Sequence, residues 1–185
     1  MKKDALIIVD IQNDYFPGGA FELVKAEAAG RKAAEVLSVF RDKNLPVIHI
    51  RHENIKPKAS FFIPNTAGAE IHSVVLPIEG EEVVVKNYPN SFQETGLFDL
   101  LKAQGVERVV IVGMMTFMCI DATARAARDF GFDVVVLHDA CAERDLEFKG
   151  TLVPADMVHA AFMAALSFSY AEIDDTDLFI EKMNK

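Results

Sequence analysis

Five short runs along the chain are almost entirely apolar and lack the alternation of a strand with one exposed face. Such runs predict strands that are buried on both faces, as in a parallel sheet covered by helices. They cover residues 5–9, 47–50, 82–85, 108–112 and 134–137, and a weaker sixth run covers residues 170–173. The pattern therefore predicts a six-stranded parallel sheet.

Segments with apolar residues at helical spacing lie between these runs. They cover residues 23–43, 94–104, 117–130 and 154–169, and a shorter segment at residues 177–183 follows the last strand. A regular alternation of strand and helix is typical of a three-layer α-β-α fold with a doubly wound, Rossmann-like sheet. With 185 residues, of which 51% are hydrophobic, the chain can form one sizeable core. We predict an α/β fold with a single domain over residues 1–185.

One connection is much longer than the others and covers residues 51–81. It contains Pro57, Pro64 and Pro77 and several lysine, asparagine and glycine residues. A loop of about 30 residues in a compact domain is usually functional. We therefore predict that this segment forms a lid or part of a pocket wall.

The net charge of the chain limits the kinds of molecule that we expect it to bind. The net charge is -9 and the sequence pI is about 5.0. An acidic surface repels phosphate backbones and anionic lipids, so we expect no nucleic-acid partner and no membrane partner. No apolar run approaches the roughly 20 residues that cross a bilayer, and the first residues do not resemble a signal peptide. These features predict a cytoplasmic protein with a small-molecule substrate and two free thiols, Cys119 and Cys141.

Candidate chemistry lies where the predicted strands end, because open α/β sheets bind ligands beyond the C-terminal ends of their strands. Asp10 follows the first strand, Lys86 follows the third, and Cys119 lies shortly after the fourth. If Thr116 is a helix N-cap, Cys119 is the third helical residue, where free N–H groups and the helix dipole favour a thiolate. Asp10 could accept the thiol proton, and Lys86 could pair with Asp10 and stabilise the thiolate.

Each of these three residues also has an ordinary structural explanation. Cys119 could be a small buried helix residue, Asp10 could cap a turn, and Lys86 could be a solvated lysine at a strand end. Their occurrence at the ends of three different strands is what favours a Cys–Asp–Lys site.

Four segments resemble a known family, the isochorismatase-like cysteine hydrolases. Residues 6–15 (LIIVDIQNDY) are similar to its opening motif, and residues 112–127 (VGMMTFMCIDATARAA) are similar to its nucleophile motif. Residues 84–95 (VVKNYPNSFQET) resemble its lysine segment, and residues 131–142 (GFDVVVLHDACA) resemble the strand and turn that follow. The ordered set is more specific than any one of the motifs.

The resemblance implies a catalytic triad of Asp10, Lys86 and Cys119 and an acyl-enzyme intermediate. It also implies an oxyanion hole formed by the backbone N–H groups of Met115 and Cys119, with a cis peptide bond between Met114 and Met115. The six-stranded parallel sheet flanked by helices is also what this family implies.

The resemblance leaves the substrate open. Members hydrolyse amide, carbamoyl or ureido C–N bonds, whereas isochorismatases of the siderophore type cleave a vinyl ether and lack the cysteine, so Cys119 favours C–N hydrolysis. Vinyl-ether hydrolysis and a catalytically idle binding or scaffold protein stay as alternatives. The metal site of nicotinamidases needs an aspartate where this chain has His52 and a histidine where it has Asn54, and His72 is isolated. We therefore expect neither a metal nor another cofactor.

Further residues are candidates for lining the substrate pocket, although each could equally belong to the core or the surface. They are Phe16, Arg51, Phe61, Tyr88, Phe92, Phe117 and Met118. Among them, Arg51 could bind a substrate carboxylate. Because members of the family are usually oligomeric, the resemblance also implies a homodimer or homotetramer.

Overall fold

A computed structural model describes residues 2–185 and contains one six-stranded parallel sheet with the strand order β3-β2-β1-β4-β5-β8. The strands of this sheet are β1 (Asp4–Val9), β2 (Val47–His52), β3 (Glu82–Lys86), β4 (Arg108–Met114), β5 (Asp133–Ala142) and β8 (Glu172–Asp174). The helices are α1 (Ala26–Asp42), α2 (Leu97–Ala103), α3 (Asp121–Asp129), α4 (Ala155–Ser169) and α5 (Thr176–Met183). The predicted doubly wound α/β fold is confirmed.

Alternate residues of the central strand β1 belong to two separate cores, which gives the three layers. Leu6 and Ile8 pack on the face that α1 and α5 cover, together with Phe40 and Phe179. Ala5, Ile7 and Val9 pack on the opposite face, against α2, α3 and α4. A strand buried in this way needs apolar residues at every position, which is why its sequence does not alternate.

Two of the predicted strands differ from the structure. β3 is an edge strand in which Val83 and Val85 are each 41% exposed, so the prediction that it is buried on both faces is wrong. β5 does not end at residue 137 but continues through His138 and Asp139 to Ala142, because Gly113 and Met114 of β4 pair with Cys141 and Ala142. This extension carries the chain towards the loop that follows β4.

A small antiparallel hairpin, β6 (Leu146–Phe148) and β7 (Thr151–Val153), was not expected from the sequence. Each strand has only three residues, and Phe148 and Leu152 are largely exposed. Segments this short and this exposed give no clear periodic signal.

The long connection between β2 and β3 contains two single-turn 3₁₀ helices, Ala67–Ala69 and Ser73–Val75. Its middle is fixed to the loop after β1, because Oδ2 of Asp14 accepts the N–H of Phe62 at 2.6 Å and the phenyl ring of Phe62 is fully buried. The N–H of His72 also donates to the carbonyl of Ile11. Part of this connection therefore belongs to the core next to β1.

Within residues 2–185, none of the helices combines the length and the apolar character that crossing a membrane requires.

Candidate active site

The candidate site lies where the strand order reverses, between the adjacent central strands β1 and β4. From β1 the chain continues outward through β2 and β3, whereas β5 and β8 lie beyond β4 on the other side. The two central strands approach so closely that a Cβ atom on Gly113 would lie 1.9 Å from the carbonyl oxygen of Val9. Asp10 and the segment after β4 are thereby brought side by side at the C-terminal edge of the sheet.

Lys86 joins the two other predicted catalytic residues. Its Nζ lies 2.8 Å from Oδ2 of Asp10 and 3.2 Å from Sγ of Cys119. All three residues are buried, and none is more than 3% exposed. Charges this far from water interact strongly, so the ammonium group of Lys86 stabilises negative charge on either partner.

The Lys86 ammonium has two more acceptors, Nδ1 of His52 at 2.8 Å and the carbonyl of Tyr88 at 3.1 Å. Burial lowers the pKa of Lys86, but the carboxylate of Asp10 and the hydrogen bonds to Asp10 and Cys119 outweigh it, so the pKa is raised above its usual value. Lys86 is therefore a cation in the resting site.

Cys119 rests as a neutral thiol. Burial, and then the nearby carboxylate of Asp10, raise its pKa, and the opposing effect of Lys86 does not compensate. The expectation that the helix N-terminus favours a thiolate is therefore wrong for the unliganded site, because desolvation dominates. A base must remove the proton before this sulfur can attack.

The turn that carries Cys119 also differs from its expected geometry. Its N-cap is Met115 instead of Thr116, and Thr116–Ile120 form a π-helical turn that continues into α3. Cys119 is thus the fourth residue of the turn, not the third. The carbonyl of Met115 accepts the N–H groups of Met118 and Ile120, so the N–H of Cys119 is not one of its donors.

Asp10 is placed to act as a base. Its backbone has a φ of 52°, a left-handed conformation that turns the chain as it leaves β1. Its carboxylate contacts Lys86 as an ion pair, yet within residues 2–185 neither oxygen has a hydrogen bond of regular geometry. Both oxygens therefore retain lone pairs that can accept a proton.

His52 is a member of the site that the sequence did not single out as one. The side chain of Gln12 fixes the end of β2, since its Oε1 accepts the N–H of His52 and its Nε2 donates to the carbonyl of His52. Burial lowers the pKa of His52 to about 4, so the ring is neutral and Nδ1 accepts a hydrogen bond from Lys86.

The ligand-type atoms of Asp10, His52 and Cys119 lie within 4.8 Å of one another, a spacing that could suit a metal ion. The Lys86 ammonium, however, lies within about 3.2 Å of each of them. The centre of this cluster therefore already holds a positive charge.

The segment after β4 carries the two expected backbone donors, the N–H groups of Met115 and Cys119. The peptide bond between Met114 and Met115 is cis, as the family resemblance implied. Within the described part of the chain, the N–H of Met115 donates to no backbone carbonyl. The N–H groups of Met115 and Cys119 thus lie at the two ends of residues 115–119, the segment that leads to the thiol of Cys119.

The residues that were predicted to line the pocket lie in different environments in the structure. Phe61 belongs to an aromatic cluster with Tyr15, Phe21 and Phe62, in which the ring of Phe62 lies 5.9 Å from that of His52. Phe117 and Met118 flank Cys119 on its turn, and Met118 is partly exposed. The side chain of Tyr88 is half-buried.

The other predicted pocket residues lie in packing or ion-pair environments. Phe16 stacks on His72 with 3.6 Å between ring centroids. Phe92 packs against Phe130 and Phe132 in the core on the other face of the sheet. Arg51 is paired with Glu53 at 2.8 Å and Glu70 at 3.6 Å, so its charge is already compensated.

Two further residues near the site were not predicted. Tyr15 is buried, and burial, followed by electrostatic interactions with Cys119 and Asp10, raises its pKa. Oε2 of Glu143 accepts the N–H of Phe117 on the nucleophile turn at 2.7 Å. Tyr15 could have been suspected because it closes the opening motif, whereas Glu143 follows a strand that is longer than its sequence indicates.

Comparisons with known proteins agree on one family. The sequence model of a protein family, the isochorismatase domain, matches residues 4–166 of this chain. The uncharacterized isochorismatase family protein YddQ of Bacillus subtilis is 48% identical over 96% of this chain and 98% of its own. The crystal structure of a putative isochorismatase hydrolase from Oleispira antarctica has a TM-score of 0.94 and 49% identity, over 97% of both chains.

A more distant relative has a named activity. The maleamate amidohydrolase of Pseudomonas putida is 31% identical over 77% of this chain and 74% of its own. Relatives of this chain therefore include an amide hydrolase.

Proposed function

Since this chain belongs to the isochorismatase family, a family of hydrolases, we propose that it hydrolyses a C–N bond of a small molecule with Cys119 as nucleophile. The observation that carries the proposal is the position of the Lys86 ammonium, between the carboxylate of Asp10 and the thiol of Cys119 in a site closed to bulk water.

Acylation begins with proton transfer from the thiol of Cys119 to the carboxylate of Asp10. The sulfur then attacks the carbonyl carbon of an amide, carbamoyl or ureido group, and the carbonyl oxygen gains the negative charge. The N–H groups of Met115 and Cys119 bind that oxygen, and Lys86 stays charged beside Asp10. When the C–N bond breaks, Asp10 returns the proton to the leaving nitrogen, which departs as ammonia or an amine.

Deacylation repeats the same proton transfers with water. Asp10 takes a proton from a water molecule that attacks the thioester, and the tetrahedral intermediate again uses the two backbone donors. Its collapse releases the acid, and the proton on Asp10 returns to the sulfur. The raised pKa of Cys119 fits this cycle, because the thiol then keeps its proton until Asp10 removes it.

The substrate class follows from the nucleophile and from the relatives. A covalent thioester route suits a carbonyl with a nitrogen leaving group, and the relative named maleamate amidohydrolase supports an amide. The partly buried ring of Phe61, which packs against the core residues Tyr15 and Phe62, favours a small substrate with an apolar part.

The test compares wild type with Cys119→Ala and with Cys141→Ala as the matched control. Cys141 is the second buried thiol, and burial raises its pKa to about 12, but it pairs with Gly113 inside β5 and lies outside the proposed triad. Each protein is incubated with simple amides, N-carbamoyl compounds, ureido compounds and isochorismate. Ammonia release and the intact mass of the protein are then measured.

We expect wild type and Cys141→Ala to release ammonia and to form a covalent adduct, and we expect Cys119→Ala to do neither. Ammonia release that survives in Cys119→Ala would contradict covalent catalysis. Consumption of isochorismate without ammonia release, measured alongside, would favour cleavage of a vinyl ether. No turnover and no adduct in wild type across the panel would favour a binding role.

A further inference from the structure

Glu143 is a buried carboxylate that the proposed reaction cycle does not use. It follows β5, is 3% exposed, and reaches across to the turn that carries the nucleophile. Its Oε2 accepts the N–H of Phe117 at 2.7 Å, and its Oε1 accepts the N–H of Arg144 at 2.8 Å. Its own carbonyl accepts the N–H of Val24, which fixes it to the segment before α1.

The nucleophile turn has no cap of its own. Its N-cap residue is Met115, whose side chain makes no capping hydrogen bond. The hydroxyl of Thr116 lies 2.9 Å from Nδ1 of His159 on α4 and 3.4 Å from the carbonyl of Ala142. The first N–H groups of a helix need an acceptor, and a carboxylate is a particularly favourable one because of the helix dipole.

We propose that Glu143 is a positioning residue, which caps the nucleophile turn from outside and thereby holds the thiol of Cys119 against Lys86 and Asp10. The expected effect of Glu143 on turnover rests on the proposed function. Phe117 and Cys119 are two residues apart on one turn, so fixing the N–H of Phe117 limits the positions that the sulfur and the N–H of Cys119 can take. Glu143 accepts the N–H groups of Phe117 and Arg144 and so leaves those of Met115 and Cys119 to the substrate oxygen.

Several charged or titratable groups surround Glu143. Tyr15 faces it from the loop after β1, Cys141 and Arg144 flank it in the chain, and Lys25 lies next to α1. His138 and Asp139 of β5 and Asp156 and His159 of α4 line the same cavity, which has a volume of about 280 Å³. Lys25 is paired with Asp156, and Asp139 accepts hydrogen bonds from Thr176, so Arg144 is the cation that acts on Glu143 most directly.

Burial raises the pKa of Glu143 to about 7, although the N–H groups of Arg144 and Phe117 act in the opposite direction. The carboxylate therefore gains a proton as the pH falls through neutrality and becomes a weaker acceptor for the N–H of Phe117. Glu143 therefore holds the nucleophile turn best at a pH above its pKa of about 7, where its carboxylate is charged. We expect kcat to rise with pH through a step near 7 that belongs to Glu143.

The experiment uses Glu143→Gln, with Glu147→Gln as the matched control on the exposed β6–β7 hairpin. The amide oxygen of glutamine can accept one N–H group, but its NH₂ group opposes the other. We expect Glu143→Gln to lower kcat about 10- to 100-fold with little change in KM, because a small displacement of a reacting group is costly. The pH step near 7 should vanish in this variant and persist in Glu147→Gln.

A second readout does not require turnover. The rate at which iodoacetamide alkylates Cys119 is measured against pH by peptide mass, together with the Tm of each variant. The positioning role predicts a changed rate and a lost pH step in Glu143→Gln at a Tm within a few degrees of wild type. If wild type has no hydrolase activity but alkylation shows these changes, the proposed function fails and the positioning role stands.

Unchanged kcat, alkylation rate and pH profile in Glu143→Gln would overturn the proposal. A loss of activity that only follows a large fall in Tm, with the pH step retained, would also overturn it, because Glu143 would then be structural.

Discussion

The ammonium group of Lys86 donates hydrogen bonds to His52, Tyr88 and Cys119 and forms an ion pair with Asp10, so four neighbours compete for its three protons. His52 takes part in this arrangement only while its ring is neutral, because a second positive charge 2.8 Å from Lys86 would repel it. A neutral, buried imidazole therefore helps to hold the lysine in place. This dependence has a measurable effect on stability.

We predict that His52→Gln makes the free energy of unfolding less sensitive to acid. The pKa of His52 is about 4 in the folded protein, below its ordinary value of 6.5, so the unfolded chain takes up the proton first as the pH falls. Wild type should therefore lose about 2 kcal/mol from this group between pH 7.5 and 5, and the variant should not.

Urea denaturation at several pH values measures this difference. His138→Gln is the control, since His138 lies at a more exposed position and is paired with Asp175. The same pH dependence in wild type and His52→Gln would contradict the lowered pKa, because His52 would then bind its proton equally well in the folded and unfolded states.

At the scale of elements, the contact between β1 and β4 controls the distance between base and nucleophile. Gly113 has a φ of 127° and no room for a side chain, because the carbonyl of Val9 occupies that space. Any larger residue must therefore separate the two central strands where Asp10 and the nucleophile turn leave them.

We predict that Gly113→Ala destabilises the protein by at least about 3 kcal/mol, since both the backbone conformation and the packing oppose it. Gly131→Ala is the matched control, because Gly131 also has a positive φ but open space around it. It should cost only about 1 kcal/mol. Urea denaturation and the alkylation rate of Cys119 are measured for both variants, and equal effects would show that close packing at Gly113 is unimportant.

The elements that could be predicted from the sequence are those with a strong local pattern. The buried strands β1 and β4 and the amphipathic helix α1 carry this pattern, and Asp10, Lys86 and Cys119 are visible because each follows a strand. His52 and Glu143 are not visible in this way, because their roles depend on distances between elements. The position of β3 at the sheet edge and the continuation of β5 are set by pairing, which a local pattern does not encode.

At the scale of the whole molecule, α4 has an unusual outer surface. Its inner face contacts the nucleophile turn through His159 and Phe162 and buries Met163 and Leu166 in the core, yet its outer face is also apolar. Met157 and Phe168 are 64% and 91% exposed, and no charged residue occurs between positions 157 and 171. A helix that is apolar all round is normally buried.

We predict that this face binds a second copy of the chain. Each copy carries a net charge of -9, so two copies repel each other over most of their surface, and an uncharged face is where they can meet. Ala161→Glu, which would place two carboxylates opposite each other, should convert a dimer into a monomer. Light scattering after size-exclusion chromatography measures the mass, with Leu178→Glu on the exposed side of α5 as the control.

A wild-type protein that is monomeric at about 100 μM would contradict this prediction, since contacts of typical dimer size persist at that concentration. A dimer that survives Ala161→Glu would place the interface elsewhere.

The order of the strands divides the reacting groups between two parts of one polypeptide. Asp10 follows β1, and His52 and Lys86 are the last residues of β2 and β3, whereas Cys119 and Glu143 follow β4 and β5. The chain passes from the first half of the sheet to the second only once, in the exposed connection around Glu94. A cut there yields one fragment with the base and the ammonium group and another with the nucleophile. Neither fragment holds a complete triad, so their hydrolytic activity would report reassembly, as in a split enzyme.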